Sequence, residues 1–170
     1  DSGGGIYNAF GTLTVRNSTF SGNSAGNGGG IHNAYGALTV VHSIFSGNVS
    51  SGSGYYGTGY AGGGGIYNAN YGTQTTIQNS SFIDNSTAFA GGGIYNQGTL
   101  IVEGSTVSGN STSYDGGGIF NWGTLTVLTS TLSGNSAGGL PGSNGAGGAI
   151  LNFNRLTVDS SIFSGNFASY

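Results

Sequence analysis

A short block recurs six times along the 170 residues, opening at Gly3, Gly28, Gly63, Gly91, Gly116 and Gly147. The first copy reads GGGIYNAFGTLTVRNSTFSGN and the fifth reads GGGIFNWGTLTVLTSTLSGN. A unit this short cannot bury an apolar face alone, so its copies must stack on one another as a solenoid. Each copy holds three strand-like pieces, such as GGGIYN, GTLTV and STFSGN. Inside them apolar and polar residues alternate, which is the period of a strand. Glycine triplets and β-branched runs both work against a helix. The expected fold is therefore all-β: a right-handed parallel β-helix, or β-solenoid, of six coils with three short strands each and uncapped ends. The hand follows the general rule for parallel crossovers. Residues 1–170 read as one such domain. At ~4.8 Å per coil the rod is ~29 Å long.

Aligning the copies assigns four inward positions to each coil. They are Ile6, Ile31, Ile66, Ile94, Ile119 and Ile150; then Leu13, Leu38, Thr75, Leu100, Leu125 and Leu156; then Val15, Val40, Ile77, Val102, Val127 and Val158; then Phe20, Phe45, Phe82, Val107, Leu132 and Phe163. Thr75 alone among them is polar. Two asparagines also occur in every copy. One set is Asn8, Asn33, Asn68, Asn96, Asn121 and Asn152; the other is Asn23, Asn48, Asn85, Asn110, Asn135 and Asn166. Stacking puts like on like, and an amide carries both donors and an acceptor, so each set can bond along the axis as a ladder. A serine set (Ser18, Ser43, Ser80, Ser105, Ser130, Ser161) suits a similar task. Length varies between the third piece and the next glycine run, so loops should leave there. The longest holds Tyr55, Tyr56 and Tyr60, the candidate contact loop.

Composition narrows the function. Two arginines and no lysine, with a net charge of −3, exclude a basic face for nucleic acid. No run of about 18 apolar residues is present to cross a membrane as a helix. There is no cysteine for disulfide or thiol chemistry. The acids Asp1, Asp84, Glu103, Asp115 and Asp159 are scattered over the coils. Asp84 and Asp115 share the loop corner on this reading, but two coils, ~10 Å, separate them. That is too far for one calcium ion, and no catalytic group of nucleophile, base and orienting residue assembles. The sequence thus calls for no cofactor, no metal and no enzyme, and a polysaccharide lyase is a minor alternative. Ice binding is another, because Thr12 and Thr14 and Thr124 and Thr126 form Thr-x-Thr pairs. The first of those ranks, however, reads Thr12, Ala37, Gln74, Thr99, Thr124, Arg155, and Gln and Arg break a flat array. Outward aromatics recur too, at Tyr7, His32, Tyr67, Tyr95 and Phe120 and at Phe10, Tyr35, Tyr71, Trp122 and Phe153, which read as cross-strand stacking on the outer face, with a sticky stripe for glycans, another rod or a host surface as the alternative.

The pairing of GGGIYN, or GGAILN at 147–152, with FSGN at 20–23, 45–48 and 163–166 resembles the repeats of the chlamydial polymorphic outer-membrane proteins. Phe82 to Asn85 (FIDN) fits the same motif, whereas Val107 and Leu132 replace its phenylalanine. The resemblance implies a bacterial, surface-exposed passenger domain with an adhesive role toward a host surface or a glycan. It brings no catalytic residue with it.

The two termini are in register with each other. Tyr170 followed by Asp1 reads SGNFASY-DSGGGIYN, which parallels SGNSTSY-DGGGIFN at 108–121. Stacking coil six on coil one of another copy would set Asp159 beside Arg16 at one repeat position. An uncapped coil exposes unpaired backbone groups, a template for a further coil. The sequence therefore reads as a non-enzymatic, structural, extracellular β-solenoid that stacks head to tail, as a fibre subunit or a tandem rod segment, through Asp1, Arg16, Asp159 and Tyr170. A surface adhesin is the alternative.

Overall fold

The computed structural model describes residues 2–52, 62–138 and 145–169. Asp1, Tyr55, Tyr56, Tyr60 and Tyr170 lie outside the described residues. Every regular element within them is a strand. Coil one consists of Ile6–Asn8, Thr12–Arg16, Thr19–Ser21 and Ser24–Ala25, and the five later coils repeat this set. The six first strands pair side by side in coil order, as do the second, third and fourth strands, giving four parallel six-stranded sheets. Ile6 faces Ile31, which faces Ile66, and the rank continues through Ile94 and Ile119 to Ile150 without a slip. This is a parallel β-solenoid.

The coil has one more strand than the sequence pattern indicates. Its fourth strand is two residues long, too short to show a period of two. Its inward side chains are small: Ala25, Ser50, Thr87, Thr112 and Ala137 are all buried. Small residues belong there because Gly4 and its equivalents pass directly behind. A Cβ on Gly4 would sit 2.8 Å from the carbonyl of Ser24. The long insertions consequently leave after the fourth strand. Length also varies at the first turn, which spans residues 9–11 in coil one, 69–73 in coil three and 97–98 in coil four. The extra strand separates the two acids placed together by the sequence: Asp84 occupies the corner between the third and fourth strands, and Asp115 the corner after the fourth.

The four inward ranks close into a single core. Ile31, Leu38, Val40 and Phe45 of coil two, and their counterparts through coil five, are fully buried. Phe20, Phe45 and Phe82 stack inside it, each pair 4.7 Å apart and within 5° of parallel. Offset-stacked rings at this distance suit the coil spacing. Thr75 is buried at a leucine position, and its hydroxyl donates to Asn68 Oδ1 at 2.8 Å, so the hydroxyl is satisfied.

One residue between the second and third strands turns the chain through the left-handed region in every coil. It is Asn17, His42, Asn79, Gly104, Thr129 or Ser160, with φ between 44° and 56°. Glycine and asparagine tolerate this conformation, whereas a β-branched side chain does not. Thr129, exposed and at φ 44°, is the strained member of the rank. Thr129→Asn should raise stability by about 0.5–1 kcal/mol in urea denaturation, and Asn17→Thr should lower it by a similar amount.

Candidate functional site

The asparagines form two continuous ladders. In the first, Asn8 Nδ2 donates to Asn33 Oδ1 at 2.7 Å, and the chain of bonds runs on through Asn68, Asn96 and Asn121 to Asn152 at 2.7–2.9 Å. In the second, Asn23 donates to Asn48, and so on through Asn85, Asn110 and Asn135 to Asn166, at 2.8–3.0 Å. Every bond points the same way, from the amide nitrogen of one coil to the amide oxygen of the next.

Each interior amide is close to saturation. In the first ladder the same nitrogen also reaches a carbonyl of its own turn, as Asn33 does with Gly36 at 2.9 Å and Asn121 with Gly123 at 2.9 Å. These bonds tie down the first corner. In the second ladder, Asn85 Nδ2 also donates to the Phe45 carbonyl at 2.9 Å, and Asn85 Oδ1 also accepts the Asn48 backbone N–H at 3.0 Å. The serines add a third line of bonds. Ser43 N–H donates to Ser80 Oγ and Ser80 N–H to Ser105 Oγ, while each hydroxyl donates two residues back, across the left-handed corner. The buried amides and hydroxyls of these three lines are thus satisfied without interrupting the stack.

The aromatic rank at Tyr7, His32, Tyr67, Tyr95 and Phe120 is not the exposed outer stripe expected from alternation. It lies outside the solenoid core, and the chain covers it from His32 onward, leaving Tyr7 of coil one exposed. Tyr67, Tyr95 and Phe120 are buried in a second cluster with Ala69 and Ala90, against which Phe89, Trp122 and Leu151 pack. The backbone passes so close that a Cβ on Gly62 would lie 2.5 Å from the Tyr95 ring. The corner segments that supply this cover have no periodic pattern, so the sequence gives no sign of it. Exposure is kept instead at the first turn, by Phe10, Tyr35 and Tyr71.

His32 sits in this rank with its ring edge-on to Tyr7 at 5.0 Å and to Tyr67 at 4.8 Å. Burial lowers its pKa from 6.5 to about 4, because removing the imidazolium from water disfavours the charged form. The ring is therefore neutral in the folded protein at neutral pH.

The acidic residues do not converge. Among the described residues no group of three or more His, Cys, Asp and Glu side chains could hold a metal ion. The Thr-x-Thr ranks are in register as Thr12, Ala37, Gln74, Thr99, Thr124 and Arg155, so Gln74 and Arg155 interrupt the array at the surface. No helix among the described residues is long and apolar enough to cross a membrane.

The end coils differ from the middle. Leu156, Val158 and Phe163 occupy core ranks in coil six yet are 37, 44 and 43% exposed, whereas their counterparts in coil five are fully buried. Arg16 and Asp159 are exposed at opposite ends of one rank, which runs Arg16, Val41, Gln78, Glu103, Leu128, Asp159. The ladders end with matching polarity. Among the described residues no donor meets Oδ1 of Asn8 or Asn23 in coil one. In coil six, Nδ2 of Asn152 and of Asn166 each meets only one backbone carbonyl, at Asn154 and Leu132.

Residues 17–34 match the Chlamydia polymorphic membrane protein repeat. The matched stretch runs from the end of one coil, through FSGN at 20–23, into GGGIHN at 28–33 of the next. It therefore spans the fourth strand and the corner that follows. No curated protein and no solved structure matches the chain.

Two measurements probe these contacts. Asn85→Ala removes the bonds that Asn85 makes to Asn48, Asn110 and Phe45 at a fully buried site. It should cost about 3 kcal/mol or more in urea denaturation, at ~1–3 kcal/mol for each buried group left unsatisfied. Asn166→Ala, at the solvated end, should cost about 1 kcal/mol. For His32, the unfolded state binds the extra proton first. Stability should therefore be fully present above pH 6.5 and fall as the pH drops from 6.5 toward 4. Substituting His32→Tyr, the residue of the rank in coils one, three and four, should flatten that part of the pH profile.

Proposed function

We propose that this chain is a structural segment of an extracellular bacterial rod, in which the end coils are covered by further coils, of the same chain or of another copy. The observation that carries this reading is the complementarity of the two end faces. Coil one presents amide oxygens and coil six presents amide N–H groups, at the two positions where every internal coil joins its neighbour. A join made in the internal register would continue both ladders. It would also cover Leu156, Val158 and Phe163 and bring Asp159 beside Arg16. Two like faces could not do this, because donors would meet donors, so the contact is head to tail and extends in one direction. The charge pair, exposed at the rim, would contribute only ~0–1 kcal/mol and serves register rather than strength. Buried apolar area is the main source of affinity.

The match to a repeat of chlamydial polymorphic membrane proteins supports a place on the bacterial surface. Asp1 and Tyr170 belong to the proposed join. Tyr55, Tyr56 and Tyr60 remain the candidate contact loop if such a rod also adheres.

The isolated 170-residue chain should elongate into rods longer than a single six-coil unit when viewed by negative-stain electron microscopy. Val158→Asp places a carboxylate on the apolar part of the coil-six face and should leave single units of unchanged far-ultraviolet circular dichroism. Wild-type chain that sediments as a monomer at high concentration would sink the reading.

A further inference from the structure

Coils one to three keep aromatic rings in contact with solvent, at Tyr7 where the rank begins and at the first turns. Tyr7 is 52% and Tyr35 58% exposed. Tyr35 is held flat by Phe10, whose ring lies 5.0 Å away and 10° from parallel. Beside these rings opens a cleft of about 240 Å³. Its lining includes Tyr7, His32 and Tyr35 and the amides of Asn27, Asn70 and Gln97.

Two side-chain amides of this cleft each keep a polar atom with no protein partner among the described residues. His32 is 8% exposed, and its Nδ1 is shut off from solvent with no hydrogen bond, so it offers nothing to a ligand in the cleft. Gln97 Oε1 accepts the Asn70 backbone N–H at 3.0 Å, which holds the side chain in place and leaves Nε2 free. Asn70 Nδ2 donates to the Ala34 carbonyl at 2.6 Å, leaving Oδ1 free. The amides are therefore positioned by the fold while keeping a donor and an acceptor for something else.

We propose that the cleft binds one pyranose ring of a neutral glycan. An anionic or cationic ligand finds no counter-charge, since none of the lining residues is charged and His32 stays neutral at physiological pH. A purely apolar partner would bury the free amide atoms without bonds. A neutral sugar has an apolar C–H face for the Tyr35 ring and hydroxyls that both donate and accept. Those hydroxyls suit Gln97 Nε2 and Asn70 Oδ1. The volume falls below the roughly 300–1,000 Å³ of sites for drug-sized ligands, which fits a single ring with the rest of a glycan running out along the rod. The inference goes beyond the rod reading and does not rest on it, because the lining described here comes from coils one to four.

The test is a titration of the whole chain, followed by NMR, with millimolar glucose, galactose, mannose, N-acetylglucosamine and their linear oligomers. At least one sugar should receive saturation transfer from the protein and shift the ring resonances of Tyr7 and Tyr35. Tyr35→Ala and Gln97→Glu should each weaken that binding about tenfold or more, while circular dichroism shows the fold retained. Phe153→Ala, in the aromatic pair at the far end, should leave it unchanged. The proposal is overturned if no sugar of the panel gives transfer, or if Tyr35→Ala binds as the wild type does. It is equally overturned if Tyr35→Ala alters self-association while the sugars leave the tyrosine resonances unmoved, which would make the cleft a protein contact. Rod formation on the grid is a separate readout, so failure of either idea leaves the other standing.

Discussion

Everything in this molecule depends on identical side chains meeting at the spacing between hydrogen-bonded parallel strands. In-register stacking allows only groups that can lie against copies of themselves. Charges cannot, because like charges in adjacent strands repel. This accounts for seven formal charges in 170 residues. Aliphatic side chains can, and fill the core. Phenyl rings can, when stacked as Phe20, Phe45 and Phe82 are. Among polar residues the primary amide suits the task best, since it donates in one direction and accepts from the other. Asparagine therefore occupies the corners where a buried polar group has to be satisfied, and serine and threonine take lesser versions of the same role.

The same constraint decides what could be read from the sequence. The inward ranks and both asparagine sets were legible because stacking forces equivalent positions to carry equivalent residues, and the eye can align them. Thr75 looked like an exception and is one only in sequence: its hydroxyl joins Asn68, which its neighbours in the leucine rank have no means to do. The fourth strand was illegible because two residues show no period and its small inward side chains resemble those of a turn. Its presence moves Asp84 and Asp115 to different corners and shifts the exit of the long insertions by one strand.

The aromatic rank shows a different limit. Alternation correctly placed Tyr67 and Tyr95 on the side of the first sheet away from the core. It could not show that Phe89, Ala90 and Gly62 come round to cover them. Those contacts arise between segments without a pattern of their own and depend on how the corners fold back. The same is true of the cleft at His32. Asn70 and Gln97 stand in first turns of different lengths, and only the folded backbone brings them together.

The uniform register also makes the coil interchangeable. Coil four runs from Gly91 to Asp115, and its neighbours present the same ranks that it does. Excising those 25 residues would join Ala90 to Gly116 and set Asn85 directly against Asn135, with the ladder unbroken. Duplicating them would lengthen the rod by one coil at no change in chemistry. A gene built this way can alter the reach of its product in whole-coil steps, by recombination between like segments, without having to find a new fold at any step.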